Sequence, residues 1–298
     1  MCIRDSTHTI EKFNEGALRF FSGFCKKVLI ADTLASLADM MFALDAPTMA
    51  ESWLGILAYS GQLYFDFAGY SCMAIGLGLM MGFRFPENFN HPYISRSITE
   101  FWGRWHISLS SWLKDYLYIP LGGNRKGVRR TYINLFLTMV LGGLWHGANW
   151  TFVLWGVWHG GILAIERAVG GKSGSPYPKL IALPFTFFLV MMGWVLFRAE
   201  SVTSAFDLYG GMFGENGFGL TDATLWQITP LHITTLFIAY AIVFIVPRVW
   251  GENHREVMQP SWAASMSVKR QIVLSLLMLI AIMKMIAQSF SPFLYFQF

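Results

Sequence analysis

The chain has 298 residues, 54% of them hydrophobic and 13% charged, with a formal net charge of +4 and a mean hydropathy of +0.45. Soluble domains carry about 25% charged residues, so this chain has too little polar surface to cover a water-soluble globule of its size. The composition predicts a chain solvated by lipid, and the 26 Phe and 12 Trp suit apolar interiors and bilayer interfaces. The charge is spread over loops without the basic run that a nucleic-acid surface needs. Cys2, Cys25 and Cys72 have no spacing that suggests zinc or a disulfide framework.

In chain order, Met1 to Ser6 (MCIRDS) is polar and lacks the apolar run of a signal peptide; it reads as a foreign or artefactual start, with residues 7–298 as one membrane domain. A membrane-spanning helix needs about 20 mostly apolar residues. Gly16 to Ala31 is apolar but carries Arg19, Lys26 and Lys27, which makes it interfacial. Trp53 to Phe83 is long and Gly-rich, with Asp66 near its middle. Phe101 to Ile119 is amphipathic and Trp-rich, and Tyr132 to Ile165 is apolar but broken by glycines around Gly147. Leu180 to Phe197, Leu231 to Val246 and Gln271 to Phe290 complete the candidates. The short loop Gly170 to Ser175 (GGKSGS) is a linker, since it lacks phosphate-loop spacing.

Lys and Arg placement orients the chain. Arg84 to Arg130, Arg167 to Lys179 and Arg248 to Arg270 are basic and predicted cytoplasmic. Asp32 to Ser52 has no Lys or Arg, and Arg198 to Pro230 has only Arg198, so both are predicted to lie outside. Both flanks of Tyr132 to Ile165 are therefore cytoplasmic, and that stretch must enter the membrane and return, or cross it twice. Each half is short for a crossing of about 30 Å. The expected fold class is an all-α multi-pass membrane protein, a helical bundle with a broken or re-entrant hairpin that turns near Gly147 and carries the central histidine, His146.

Ionisable groups inside a membrane are costly and read as functional by default. Among flanking apolar residues in Leu144-Trp145-His146-Gly147-Ala148-Asn149-Trp150, His146 is a candidate general base. Packing against a neighbour is the competing reading. His159 follows 13 residues later, about 220° around a continuous helix, so the two would face apart unless the helix breaks. A shared metal site is not expected, and His159 reads as packing or substrate-path lining. His106 falls on or beside a helical stripe of Trp102, Trp105, Leu109, Trp112, Leu113 and Tyr116, which points to packing, with His106 able to face the cavity of His146. Asp66 must be paired or protonated at its depth, either structurally or as an orienting group. Lys114, with Arg125 and Lys126, could meet a phosphate-rich donor such as coenzyme A or simply face water.

Three long strings carry a family resemblance: YFDFAGYSCMAIGLGLMMGFRFPENFNHPY, SRSITEFWGRWHISLSSWLKDYLYIPLGGNRKG and GGLWHGANWTFVLWGVWHG. Together with the closing SPFLYFQF, they make the chain resemble the membrane-bound O-acyltransferases, in the bacterial branch of alginate and peptidoglycan O-acetylation. The motif region is 64–166, and the resemblance runs over nearly everything after about Asn14. It implies that His146 is the family's invariant histidine and His106 the branch's second one. Gly103 stands where a basic residue is common. It implies acetyl transfer from a cytosolic donor, acetyl-CoA or another acetyl donor, across a bacterial inner membrane to hydroxyls of a cell-surface polysaccharide such as alginate, with a periplasmic acetyltransferase partner and no bound cofactor. Trp side-chain N–H groups, Trp145 among them, or Asn149 are candidate oxyanion donors. The competing readings are D-alanyl transfer to teichoic acid and a transporter that uses His146, His106 and Asp66 as a path.

Overall fold

The computed structural model describes residues 6–170, 177–250 and 266–287. The artefactual-start reading (bar Ser6), most of the GGKSGS and 248–270 loops and the closing SPFLYFQF lie outside the described residues. The described residues form helices joined by turns and loops, with no strand among them. In chain order the helices are α1 (Ile10–Cys25), α2 (Asp32–Phe42), α3 (Met49–Met80), α4 (Ile98–Arg104), α5 (Ile107–Leu113), α6 (Val128–His146), α7 (Trp150–Gly170), α8 (Lys179–Arg198), α9 (Val202–Met212), α10 (Asp222–Gln227), α11 (Pro230–Trp250) and α12 (Val268–Ala287). Two π-helical stretches, Lys26–Ala31 and Lys114–Tyr118, continue α1 and α5.

Among the described residues, α3, α8, α12 and Pro230–Pro247 of α11 are long and apolar enough to cross a membrane. They alternate with the acidic and basic loops as a multi-pass chain requires. Phe101 to Ile119 is not one amphipathic helix: it breaks at Trp105 and His106 into α4 and α5.

The chain divides into two compact units. One comprises residues up to Leu37, then Gly61–Asn88, and the chain from Thr229 on. Its core is the crossing of α1 with α3, made possible by matched glycines. A Cβ on Gly23 would lie 2.5 Å from the Gly69 carbonyl oxygen, and one on Gly16 2.5 Å from that of Gly76. Small residues let helix backbones touch in this way. Beside the π-helical turn, Lys27 Nζ sits 2.7 Å from both Asp32 Oδ1 and Asp66 Oδ1, with all three side chains below a tenth exposed. The Lys284 ammonium on α12 donates to the Val28 carbonyl at 2.8 Å and to Thr33 Oγ1 at 2.5 Å. Lys27 thus belongs to a buried ion cluster and not to an interfacial face.

Removing one partner of a buried charge cluster leaves an uncompensated charge and costs about 3–5 kcal/mol. Lys27→Met is expected to lower the thermal midpoint in detergent strongly, while Lys27→Met with Asp66→Asn recovers part of the loss. Equal midpoints for wild type and the single variant would remove the cluster from the stability of this unit.

The other unit holds Ala38–Ser60 and Phe89–Ile228. Here α6 and α7 pack along their length, α8 packs on α7, and α4 lies against α7 and α8. Buried Glu51 ties α3 to α10, accepting hydrogen bonds from Thr221 N at 3.0 Å, Thr221 Oγ1 at 2.7 Å and Thr224 Oγ1 at 2.8 Å.

Candidate functional site

The site is built in this second unit from two helical bends. The first is the α6–α7 hairpin. α6 ends at His146, Gly147 is extended at φ 168° and ψ 161°, and α7 starts at Trp150. The bend falls at the glycine that the sequence pointed to. A Cβ on Gly147 would meet the Phe152 ring at 2.6 Å, and one on Gly156 would meet the Met139 carbonyl oxygen at 2.5 Å. The two arms therefore touch backbone to backbone.

The arms are longer than the apolar stretch suggested. α6 has 19 residues and α7 has 21, about 28 and 31 Å, because Val128 to Thr131 and Glu166 to Gly170 extend them. The Asn149 amide donates to the Glu200 carbonyl at 2.9 Å, just past the C-terminal end of α8. The turn therefore lies level with the end of a helix able to cross the membrane. The charged first and last turns belong to the helices and not to loops.

The second bend is at His106. α4 ends in extended Trp105, and His106 takes a left-handed conformation, φ 45° and ψ 55°. For a non-glycine residue this conformation costs about 1–2 kcal/mol, so surrounding contacts must hold it. The His106 carbonyl accepts from Ser110 N at 2.9 Å to start α5, and Ser108 Oγ is 3.3 Å from His106 Nδ1. Trp105, next to His106, packs on Trp194 at 5.0 Å between ring centroids; Trp194 packs on Phe197 at 5.6 Å, and Phe197 lies 5.0 Å from His146.

Aromatic rings hold these bends. His146 packs edge-on against Trp155 at 5.2 Å and Phe197 at 5.0 Å between ring centroids. Trp155 also packs against His159 at 5.1 Å and Trp102 at 5.6 Å, and Trp102 lies 5.3 Å from His159. Both His146 and His159 therefore touch one ring, although His159 is fully buried and His146 half-buried. His159 Nδ1 and Nε2, Trp102 Nε1 and Trp155 Nε1 are buried with no hydrogen-bond partner among the described residues. Such atoms are costly to bury unmatched, and a polar group entering between them would satisfy them.

Other sequence candidates fall elsewhere. Trp145 is 55% exposed and turns outward. Both ends of the Asn149 amide are used, on Glu200 O and on Thr151 N at 3.2 Å. Lys114 is exposed, 4.0 Å from Asp115. Asp66 belongs to the other unit, paired with Lys27. A cavity of about 290 Å³ opens beside the end of α8, lined by Asp39, Asp45, Arg198, Glu200 and Asp207 among others. Two features escaped the sequence reading. Trp194 and Phe197 complete the aromatic walls, and Glu166 anchors α4 from the far end of α7. Only a lone carboxylate in an apolar helix could have signalled the latter.

A family model, the membrane-bound O-acyltransferase family, matches residues 2–173, which hold both histidine bends. The chain belongs to this family. "Probable alginate O-acetylase AlgI" of Pseudomonas putida is 55% identical over 98% of the chain and 62% of its own length. The protein of the same name from Azotobacter vinelandii is 51% identical over 98% of the chain and 64% of its own length. The "Peptidoglycan O-acetyltransferase" of Helicobacter pylori is 45% identical over 69% of the chain and 40% of its own length. The chain thus spans a little under two thirds of the alginate O-acetylases it matches.

Proposed function

We propose that this chain carries the acyl-transfer centre of a bacterial inner-membrane O-acetyltransferase, moving acetyl from a cytosolic donor toward hydroxyls of a cell-surface polysaccharide such as alginate. The observation that carries the reading is the pair of histidine bends, His106 and His146, joined by one aromatic cluster through Trp105, Trp194 and Phe197. Acyl transfer to a hydroxyl needs a base for the hydroxyl proton and donors for the developing oxyanion. In this reading His146 takes the proton, the hydroxyl oxygen attacks the acetyl carbonyl, and the bond to the donor's leaving group breaks. The proton then passes to that leaving group, a thiolate if the donor is acetyl-CoA.

His106 faces the same reacting atoms and shares the proton or the oxyanion. His159 and the indole N–H groups of Trp102 and Trp155 line the acyl path as hydrogen-bonding support. Trp145, Asn149 and Lys114 act at its margin, Asn149 by holding the His146 turn. The basic loop carrying Arg125 and Lys126 lies on the donor side and the Glu200 end of α8 on the acceptor side, where a periplasmic acetyltransferase partner would receive the group. Asp66 supports the fold through Lys27.

Membranes carrying the protein, given acetyl-CoA labelled in the acetyl group, are expected to transfer label to polysaccharide or to a co-expressed extracytoplasmic acceptor protein. Label that stays on the donor under every acceptor condition would sink the proposal. Transfer of D-alanine in place of acetyl would redirect it to the teichoic-acid branch.

A further inference from the structure

Glu166 sits near the end of α7 farthest from the His146 turn, and its side chain is almost wholly buried, at 4% exposure. A carboxylate there must be matched by hydrogen bonds, and Glu166 accepts four. Ile98 N donates to Oε1 at 2.6 Å, and Thr99 N and Oγ1 donate to Oε2 at 2.9 and 2.7 Å. The Tyr177 hydroxyl donates to Oε1 at 3.0 Å; burial and the neighbouring carboxylate push that hydroxyl's pKa up, so it remains the donor. Three of the four bonds thus seize the first turn of α4, where free N–H groups and the helix dipole favour a negative charge.

The consequence lies at the other end of α4. This helix has seven residues, too few to be stable alone, so its position follows from what holds it: the Trp102 ring packed on Trp155 and His159 of α7, and the grip of Glu166 on its first turn. Its C-terminal end leads into the left-handed His106. α7 itself begins just past the His146 turn. One rigid helix therefore fixes both bends, His146 through the turn and His106 through Glu166 and α4.

We propose that Glu166 is a positioning residue for the acyl-transfer centre: it sets α4 along α7 so that the His106 bend reaches the aromatic cluster that also holds His146. This rests on the acyl-transfer reading for its kinetic consequence, while its geometric consequence stands alone. A glutamine would keep one acceptor oxygen and turn an NH2 group toward donors, so it should hold α4 partly; alanine should not hold it.

The test uses spin labels at Gly103→Cys and Ala148→Cys, with Cys2, Cys25 and Cys72 replaced by alanine. Gly103 faces open space and Ala148 is exposed. Pulsed electron resonance should give a narrow distance in the parent. Glu166→Ala should broaden it or move its mean by about 3 Å, two residues of helical rise. In acetyl transfer the same change should lower kcat between about 10- and 100-fold, the cost of small misplacement of reacting groups, with donor KM within about twofold. Glu166→Gln should fall between. Tyr177→Phe removes the one bond that does not touch α4, and should match the parent in both measurements.

An unchanged distance and kcat in Glu166→Ala would overturn the proposal, as would Tyr177→Phe reproducing its defects. If the alanine variant does not fold, Glu166→Gln and Thr99→Val decide by the same readouts. A parent that transfers no acetyl overturns the acyl-transfer reading alone, and the label distances still decide the role of Glu166.

Discussion

His146→Ala is expected to lower acetyl transfer by about 10²- to 10⁴-fold, the usual contribution of a positioned acid–base group, while the protein still inserts and folds. The side chain is half-buried and ends a helix, so its loss removes ring contacts to Trp155 and Phe197 at the bend but leaves the backbone contact of the two arms at Gly156 in place. His146→Gln fills most of the volume and keeps a hydrogen-bonding end, yet cannot exchange a proton near neutral pH. It should be as inactive as the alanine variant. Residues that act as one unit lose function non-additively, so adding His106→Ala to His146→Ala should cost little more. The measurement is labelled acetyl transfer in membranes, normalised to the amount of inserted protein. Transfer at the parental rate by either His146 variant would remove the histidine from proton transfer and leave it a packing residue among Trp155 and Phe197.

Gly156→Val is expected to push α6 and α7 apart. Its Cβ would lie 2.5 Å from the Met139 carbonyl oxygen and 2.8 Å from Val140 Cα. These are backbone atoms of α6 and cannot rotate away, so the two arms must separate. Overpacking a well-filled interior costs about 1–3 kcal/mol, occasionally more, and here it displaces the arm that ends in His146. The thermal midpoint in detergent should fall and acetyl transfer should be lost with it. Gly161→Ala is the matched control on the same helix: a Cβ there meets nothing within 4 Å, and alanine favours a helix interior by roughly 0.5–1 kcal/mol. A Gly156→Val protein as stable and active as the parent would show that the arms need not touch.

Several features of this site were readable from residue order because their causes are local. The break at Gly147 shows as glycines in an apolar run, and α6 and α7 indeed end and begin around it. Asp66, alone in a long apolar segment, had to find a partner, and it pairs with Lys27. The bend at His106 was not readable. The residues around it continue a helical stripe without proline, and its one glycine, Gly103, faces open space. Its left-handed conformation is imposed by contacts from elsewhere in the unit, among them the Asn90 N–H donated to the Arg104 carbonyl at 2.9 Å. The partner of Lys27 and the grip of Glu166 on α4 were hidden for the same reason: each joins residues far apart in the chain.

Residue order alone shows a lipid-solvated helical protein, where its long apolar helices run, and a break beside His146 in an apolar run. Composition and apolar run length suffice for these, because a bilayer demands long apolar helices with every backbone group bonded internally. Three-dimensional packing adds that His106 also stands at a bend, that Trp105, Trp194 and Phe197 link this bend to His146, and that Trp155 joins His146 to His159. Those juxtapositions depend on how far α4 slides along α7, which is set by one buried carboxylate, by the Trp102 ring on Trp155 and His159 and by a few backbone contacts, and leaves no periodic trace in the chain.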